Sequence, residues 1–212
     1  MDKPVMIFGA GGLGKVAMEI FNSHDILIYG FLDDDETLHG QEIGELSILG
    51  ATDDDGYLKL IGKKCEAFVA IDENSLRDNI VNMLQERRKV MPMNAVHKAA
   101  SIAQTAKLHH GTLINAGARV GAEASIGNHC IIHSNACIEH GAQLGDFVQV
   151  GAGTVINAGV KIGESAFIGS GVTIVSGVKI GKNARIGAGS VVISDVEKNK
   201  TVFGNPAQVV TR

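Results

Sequence analysis

The sequence predicts an α/β half-domain over residues 1–89, a connector at 90–100, and a parallel β-helix over 101–206 followed by a short tail at 207–212. Three observations predict this. From Ile102 every sixth residue is aliphatic, through Leu108, Ile114, Val120, Ile126, Ile132, Ile138, Leu144, Val150, Ile156, Ile162, Ile168, Ile174, Ile180 and Ile186 to Val192. With Ile, Leu and Val at roughly a quarter of positions, so long a run has a chance probability on the order of one in a billion, so the period is the fold's own signal. The residue two before each aliphatic is small or β-branched, as at Ala118, Cys130, Ala136 and Thr154, and the residue after it is often glycine, as at Gly121, Gly145 and Gly163. Finally, an apolar strand runs directly into a glycine-rich turn and a helical pattern at the start of the chain.

Taken in order, Val5–Phe8 is a short apolar strand, and Gly9, Gly11 and Gly14 fit G-x-G-x-x-G in its required place between strand and helix. Such a turn lets a phosphate approach backbone N–H groups at a helix start, where the dipole favours an anion. A second strand, Ile26–Leu32, ends at Asp33, Asp34 and Asp35, where this arrangement usually meets a ribose or base. Cys65–Ile71 is a third strand and Leu76–Arg88 an amphipathic helix. The turn alone would suggest a dinucleotide, but a dinucleotide normally needs two mononucleotide halves. About 90 residues precede the repeat, which fits a nucleoside diphosphate better. In the second half, six residues make a short strand plus a corner, and three such units close a triangular coil of eighteen residues. Stacked coils pair like parallel strands about 4.8 Å apart, so five or so coils form a rigid prism of roughly 25 Å.

The net charge of −4 leaves no basic face for nucleic acid or an anionic membrane. No apolar run is long enough to span a bilayer and no signal peptide is visible, so a cytoplasmic protein is expected. Cys65, Cys130 and Cys137 lack metal spacing and read as reduced thiols.

Residues 9–16 (GAGGLGKV), residues 30–35 (GFLDDD) and a hexapeptide prism closing on Phe203-Gly204-Asn205-Pro206-Ala207 resemble the hexapeptide-repeat acetyltransferases of nucleotide-linked amino sugars and the related sialic acid O-acetyltransferase-like proteins. The resemblance spans nearly the whole chain. It implies a left-handed β-helix, acetyl-CoA lying along the prism between subunits of a homotrimer, and a UDP- or GDP-linked sugar held by Gly9, Gly11, Gly12, Leu13, Gly14 and Lys15 with Asp33, Asp34 and Asp35. A prism this rich in Ala and Gly has little side-chain relief, consistent with walls supplied by neighbouring subunits.

Acetyl transfer from a thioester needs a base for the acceptor's proton and a donor facing the oxyanion. His97, His109, His110, His129, His133 and His140 lie in or near the prism, and His140 matches the family's catalytic histidine. Ala158, one eighteen-residue coil above it, is the expected oxyanion donor through its N–H. Three departures bear on the acceptor. Gly141 stands where many relatives have a carboxylate, so Glu139 or a more distant acid would orient His140; Gln149 stands where a second histidine is frequent; and Leu13 replaces a usual histidine in the turn. A zinc site built from histidines five apart fails because position 138 is Ile138, so no metal is expected. The residues leave open N-acetylation of an amino sugar, O-acetylation of a sialic-acid-type hydroxyl, and a nucleotide-sugar-binding regulator without catalysis.

Overall fold

The structure is a computed structural model that describes residues 3–210. It divides into two compact units, with the boundary between Lys98 and Ala99.

The first unit is built on a five-stranded sheet ordered β3-β4-β2-β1-β5, in which β1 is Val5–Phe8, β2 Ile28–Leu32, β3 Glu42–Ile43, β4 Leu46–Gly50 and β5 Glu66–Val69. All pairings are parallel except β3 with β4. Strand β1 is interior, between β2 and β5, and fully buried along its length, as expected of a parallel strand covered on both faces. Helix α1 (Gly12–Ser23) buries Leu13, Ala17, Ile20 and Phe21, a helical stripe that seats Phe21 edge-on against Phe68 with centroids 5.5 Å apart. Helix α2 is a single turn, Asp55–Leu58. Helix α3 (Asn74–Arg88) starts at Glu73, whose carboxylate accepts from the N–H groups of Ser75 and Leu76, and ends at Lys89 in the left-handed region.

Several bounds differ from the sequence expectation. Residue Ile26 closes the end of α1 by donating to Phe21 O and Leu27 is exposed, so β2 begins two residues later than predicted. Strand β5 keeps only the middle of Cys65–Ile71, and α3 starts two residues earlier than Leu76 because Glu73 caps it. Between 36 and 64 periodicity gives no element, yet a 3-10 turn (Glu36–Leu38), β3, β4 and α2 lie there; each is too short to show a period. Because the strand order reverses at β1, the C-terminal ends of β1 and β5 flank the crevice where such sheets bind ligands.

The second unit is the left-handed parallel β-helix. A short strand β6 (Ala95–Val96) precedes it in sequence. Sixteen two-residue strands follow at six-residue intervals, β7 (Ser101–Ile102) to β22 (Val191–Val192), and each ends on a predicted aliphatic. The first face carries β7, β10 (Arg119–Val120), β13 (Cys137–Ile138), β16 (Val155–Ile156), β19 (Thr173–Ile174) and β22. The second carries β8 (Lys107–Leu108), β11 (Ser125–Ile126), β14 (Gln143–Leu144), β17 (Lys161–Ile162) and β20 (Lys179–Ile180). The third starts at β9 (Leu113–Ile114) and continues every eighteen residues to β21 (Arg185–Ile186). Register is +18 throughout, Arg119 against Cys137 and Cys137 against Val155. The aliphatic ladder is buried from Ile114 upward, and the small partners Ala118, Ala124, Ala136, Ala142 and Ala166 are wholly buried beside it.

Corner geometry explains the glycines. At Gly121 an added Cβ would lie 2.8 Å from His140 N, so the next coil passes where a side chain would be. At Gly141 the backbone has φ +66°, a left-handed corner, so glycine is the unstrained residue there and a carboxylate would cost backbone strain. The chain closes with β23 (Thr201–Gly204) beside β21 and β24 (Ala207–Val209) antiparallel to β23. Residues 207–209 are therefore strand rather than tail, and of the expected tail residues 211–212 lie outside the described residues.

Candidate active site

His140 sits on the corner between β13 and β14, so the first and second faces flank it, and its side chain is 72% exposed. Its backbone is fixed by contacts of high sequence separation: His140 O accepts from Gly159 N–H (3.1 Å), and the preceding Glu139 N–H donates to Ile156 O (2.8 Å). The Glu139 carboxylate stands 3.9 Å from His140 Nδ1. That is ion-pair reach rather than a hydrogen bond. Its other oxygen accepts from the Cys137 thiol (3.4 Å), and burial, reinforced by Glu139, pushes that thiol's ionisation above the ordinary cysteine value. Ala158 is half-buried one coil above, and its N–H has no partner among the described residues, because the bond to His140 comes from the next residue, Gly159.

Clefts lie on both sides of this corner. On the first face a hollow of about 190 Å³ is lined by Ser101, Arg119, Cys137 and Glu139 among others. On the second an open trough of about 700 Å³ is lined by Thr105, Lys107, Glu123, Ser125, Gln143 and Lys161. The other histidines are placed differently. The His133 Nε2 lies 3.1 Å from the Gln149 side-chain amide nitrogen, which can only donate. The His133 nitrogen is therefore the acceptor and its lone pair is engaged. His129 is buried against the Phe147 ring, 5.1 Å between centroids, and His109 and His110 are exposed. Gln149 thus serves His133 rather than His140.

In the first unit the four glycines of the turn divide into two kinds. A Cβ at Gly9 would lie 2.6 Å from Ala70 O, and one at Gly14 would collide with Gly9 O, whereas Gly11 and Gly12 are exposed with open space around them. Helix α1 begins there with no side-chain cap, leaving first-turn N–H groups for an anion. Leu13 is a correction to the expected binding set: at 4% exposure it packs in the core as the first residue of the α1 stripe, and it offers no surface to a ligand. Lys15 is exposed.

The three aspartates also separate. Asp33 accepts from Ala10 N–H (2.7 Å) and Asp35 N–H (3.0 Å), tying the end of β2 to the glycine turn. One oxygen of Asp34 accepts from both the N–H and the hydroxyl of Thr52 (2.8 Å each). Asp35 caps the 3-10 turn through Thr37, whose hydroxyl, with its N–H, holds the carboxyl below its ordinary value. Asp33 and Asp34 line a cleft of about 330 Å³ with Thr52, Asp53, Ile71, Leu76, Asn79, Ile80 and Met83; Asp35 does not. The sequence signals none of the last seven, because they come from the end of β4, the end of β5 and one face of α3, with no common motif. Arg77, 1% exposed, donates to Ile71 O (2.6 Å) and Asp72 O (3.0 Å) and so braces the cleft's β5 side.

Comparison with known proteins agrees with this two-part layout. The PglD N-terminal domain family matches residues 4–84, and the bacterial transferase hexapeptide family matches residues 123–158 and 159–194. A search of curated sequences finds no match. A mutant of perosamine N-acetyltransferase from Caulobacter crescentus, in complex with CoA and GDP-perosamine, is similar over 100% of this chain and 99% of its own, at 28% identity and TM-score 0.91. PerB from the same organism, with CoA and GDP-perosamine, is similar over the same shares at 29% identity and TM-score 0.90. The acetyltransferase domain of PglB from Neisseria gonorrhoeae, with acetyl coenzyme A, shares the fold at 24% identity and TM-score 0.90, over 99% of this chain and 100% of its own. Fold and repeat define the class: the protein is a hexapeptide-repeat acyltransferase. Within that class, the PglD-type domain ahead of the prism makes the chain similar from end to end to the PglD-like sugar acetyltransferases.

Proposed function

We propose that this protein transfers the acetyl group of acetyl-CoA to the amino group of a UDP- or GDP-linked amino sugar, with His140 as general base. The observation that carries this is the end-to-end similarity to an enzyme whose structure holds both CoA and a nucleotide-linked amino sugar. The site supports it from the residues upward. His140 is exposed on a corner between two clefts, with a carboxylate beside its Nδ1. In this reading Nε2 takes the acceptor's proton as nitrogen attacks the thioester carbonyl, the Ala158 N–H faces the oxyanion, and the CoA thiolate leaves. Gly11 and Gly12, with the open start of α1, receive the diphosphate; Asp33 and Asp34 take the nucleoside through donors on ribose or base. Gly9 and Gly14 shape the turn, Lys15 stands exposed beside it, and Asp35 holds the loop that follows.

The same proposal includes a homotrimer with CoA at subunit boundaries, and a cytoplasmic location, where acetyl-CoA and nucleotide sugars are made. No helix among the described residues is long and apolar enough to cross a membrane. The direct test incubates the protein with acetyl-CoA and a panel of UDP- and GDP-linked amino sugars and follows free thiol. Thiol release with an amino sugar, and an amide in the product, is the expected result. Release only with hydroxyl acceptors assigns O-acetylation, and no release across the panel leaves a binding protein.

A further inference from the structure

Cys137 holds the outward position of β13, between Arg119 on β10 and Val155 on β16. Its backbone is pinned on the ladder, with its N–H donating to Thr154 O at 2.7 Å. The half-buried thiol donates to Glu139 Oε1 at 3.4 Å, and the second oxygen of the same carboxylate, Oε2, stands 3.9 Å from His140 Nδ1. One carboxylate therefore lies between a fixed thiol and an exposed imidazole.

We infer that Cys137 is a positioning residue for the base, holding Glu139 turned toward His140; this rests on the reading of His140 as the base. A glutamate in solvent has several rotatable bonds, and fixing them costs entropy. The thiol offsets part of that cost by bonding one carboxylate oxygen. The other oxygen then favours the tautomer of His140 that carries its proton on Nδ1, which leaves the Nε2 lone pair for the acceptor. Apo separations of this kind tighten when substrate excludes water. The charged groups facing the thiol are Arg119 and Glu139. Burial keeps the thiol protonated at neutral pH, and therefore a donor. The departure at Gly141 gives the device its purpose: with no carboxylate after the histidine, the one before it needs an anchor.

The experiment reads the ring nitrogens of His140 by 15N NMR on histidine-labelled protein, the signal being assigned by its loss in His140→Gln. Wild type and Cys137→Ser are expected to hold the Nδ1–H tautomer. Cys137→Ala and Glu139→Gln should lose it to similar extents, and the double variant should lose no more than either alone, since both act through one contact. In turnover, Cys137→Ala should lower kcat roughly tenfold, the scale of an outer-shell partner, with KM for both substrates unchanged and Cys137→Ser restoring the rate. A wild-type tautomer ratio in Cys137→Ala, or additive effects of the two substitutions, overturns the inference. Because the spectrum needs no turnover, coupled tautomers alongside full activity in His140→Ala would instead overturn the base assignment.

Discussion

His140, the proposed base, is a side chain that contributes little to the fold, being largely exposed. Replacing His140 with Ala should therefore leave Tm and both Kd values close to wild type while lowering kcat by roughly 10²- to 10⁴-fold, the range of a general base. Paired calorimetry and steady-state rates check this, and a fall in acetyl-CoA affinity of similar size would show that the residue binds rather than catalyses. Residue geometry also separates two glycines the motif treats alike. A Cβ at Gly11 meets open space, with φ −74° already ordinary, so Gly11→Val should keep its stability and lose nucleotide-sugar binding while acetyl-CoA binding persists. Gly14→Ala drives its Cβ into Gly9 O and should lower Tm instead. Equal loss of both ligands in Gly11→Val would mean that the turn is only structural.

At the scale of elements, short turns depend on their caps and the prism on its aliphatic ladder. The Asp35 carboxyl is held below its ordinary value chiefly by the Thr37 hydroxyl. A depressed folded-state value contributes stability that is present above the unfolded value and lost as pH falls through the folded one. The Tm gap between wild type and Thr37→Val should accordingly be open at pH 7 and close as pH falls below the carboxylate range, followed by circular dichroism; a gap independent of pH would assign the effect to packing. On the ladder, Ile138 is 1% exposed beneath the His140 corner, and Ile138→Ala should cost about 2–5 kcal/mol by denaturant titration.

For the whole molecule, the proposed chemistry requires more wall than one prism supplies. The clefts beside His140 are open and lined by a mixture of polar, charged and small or aliphatic residues, and a CoA-sized ligand is usually buried over most of its surface. Sedimentation velocity should show a trimer at assay concentrations, with activity falling on dilution as it dissociates. A monomer that retains full activity would place the complete site within one chain.

Legible along the chain is whatever repeats or lies close together in it: the six-residue ladder, the strand and glycine turn that precede it, and the corner that carries His140. Periodicity reports which face of the backbone each residue occupies, and that is a local property. The rest follows from packing between elements. That packing buried Leu13 because α1 lays that face on the sheet, and separated Gly11 and Gly12 from Gly9 and Gly14 through the approach of Ala70 and the fold-back of the turn. It joined Asp34 to Thr52 across 18 residues, gave His133 to Gln149, and left the Ala158 N–H without a partner among the described residues while Gly159 bonds the coil below. These features are set by how strands and coils stack and by how the turn folds back on itself, and the apolar pattern of a single segment does not encode them.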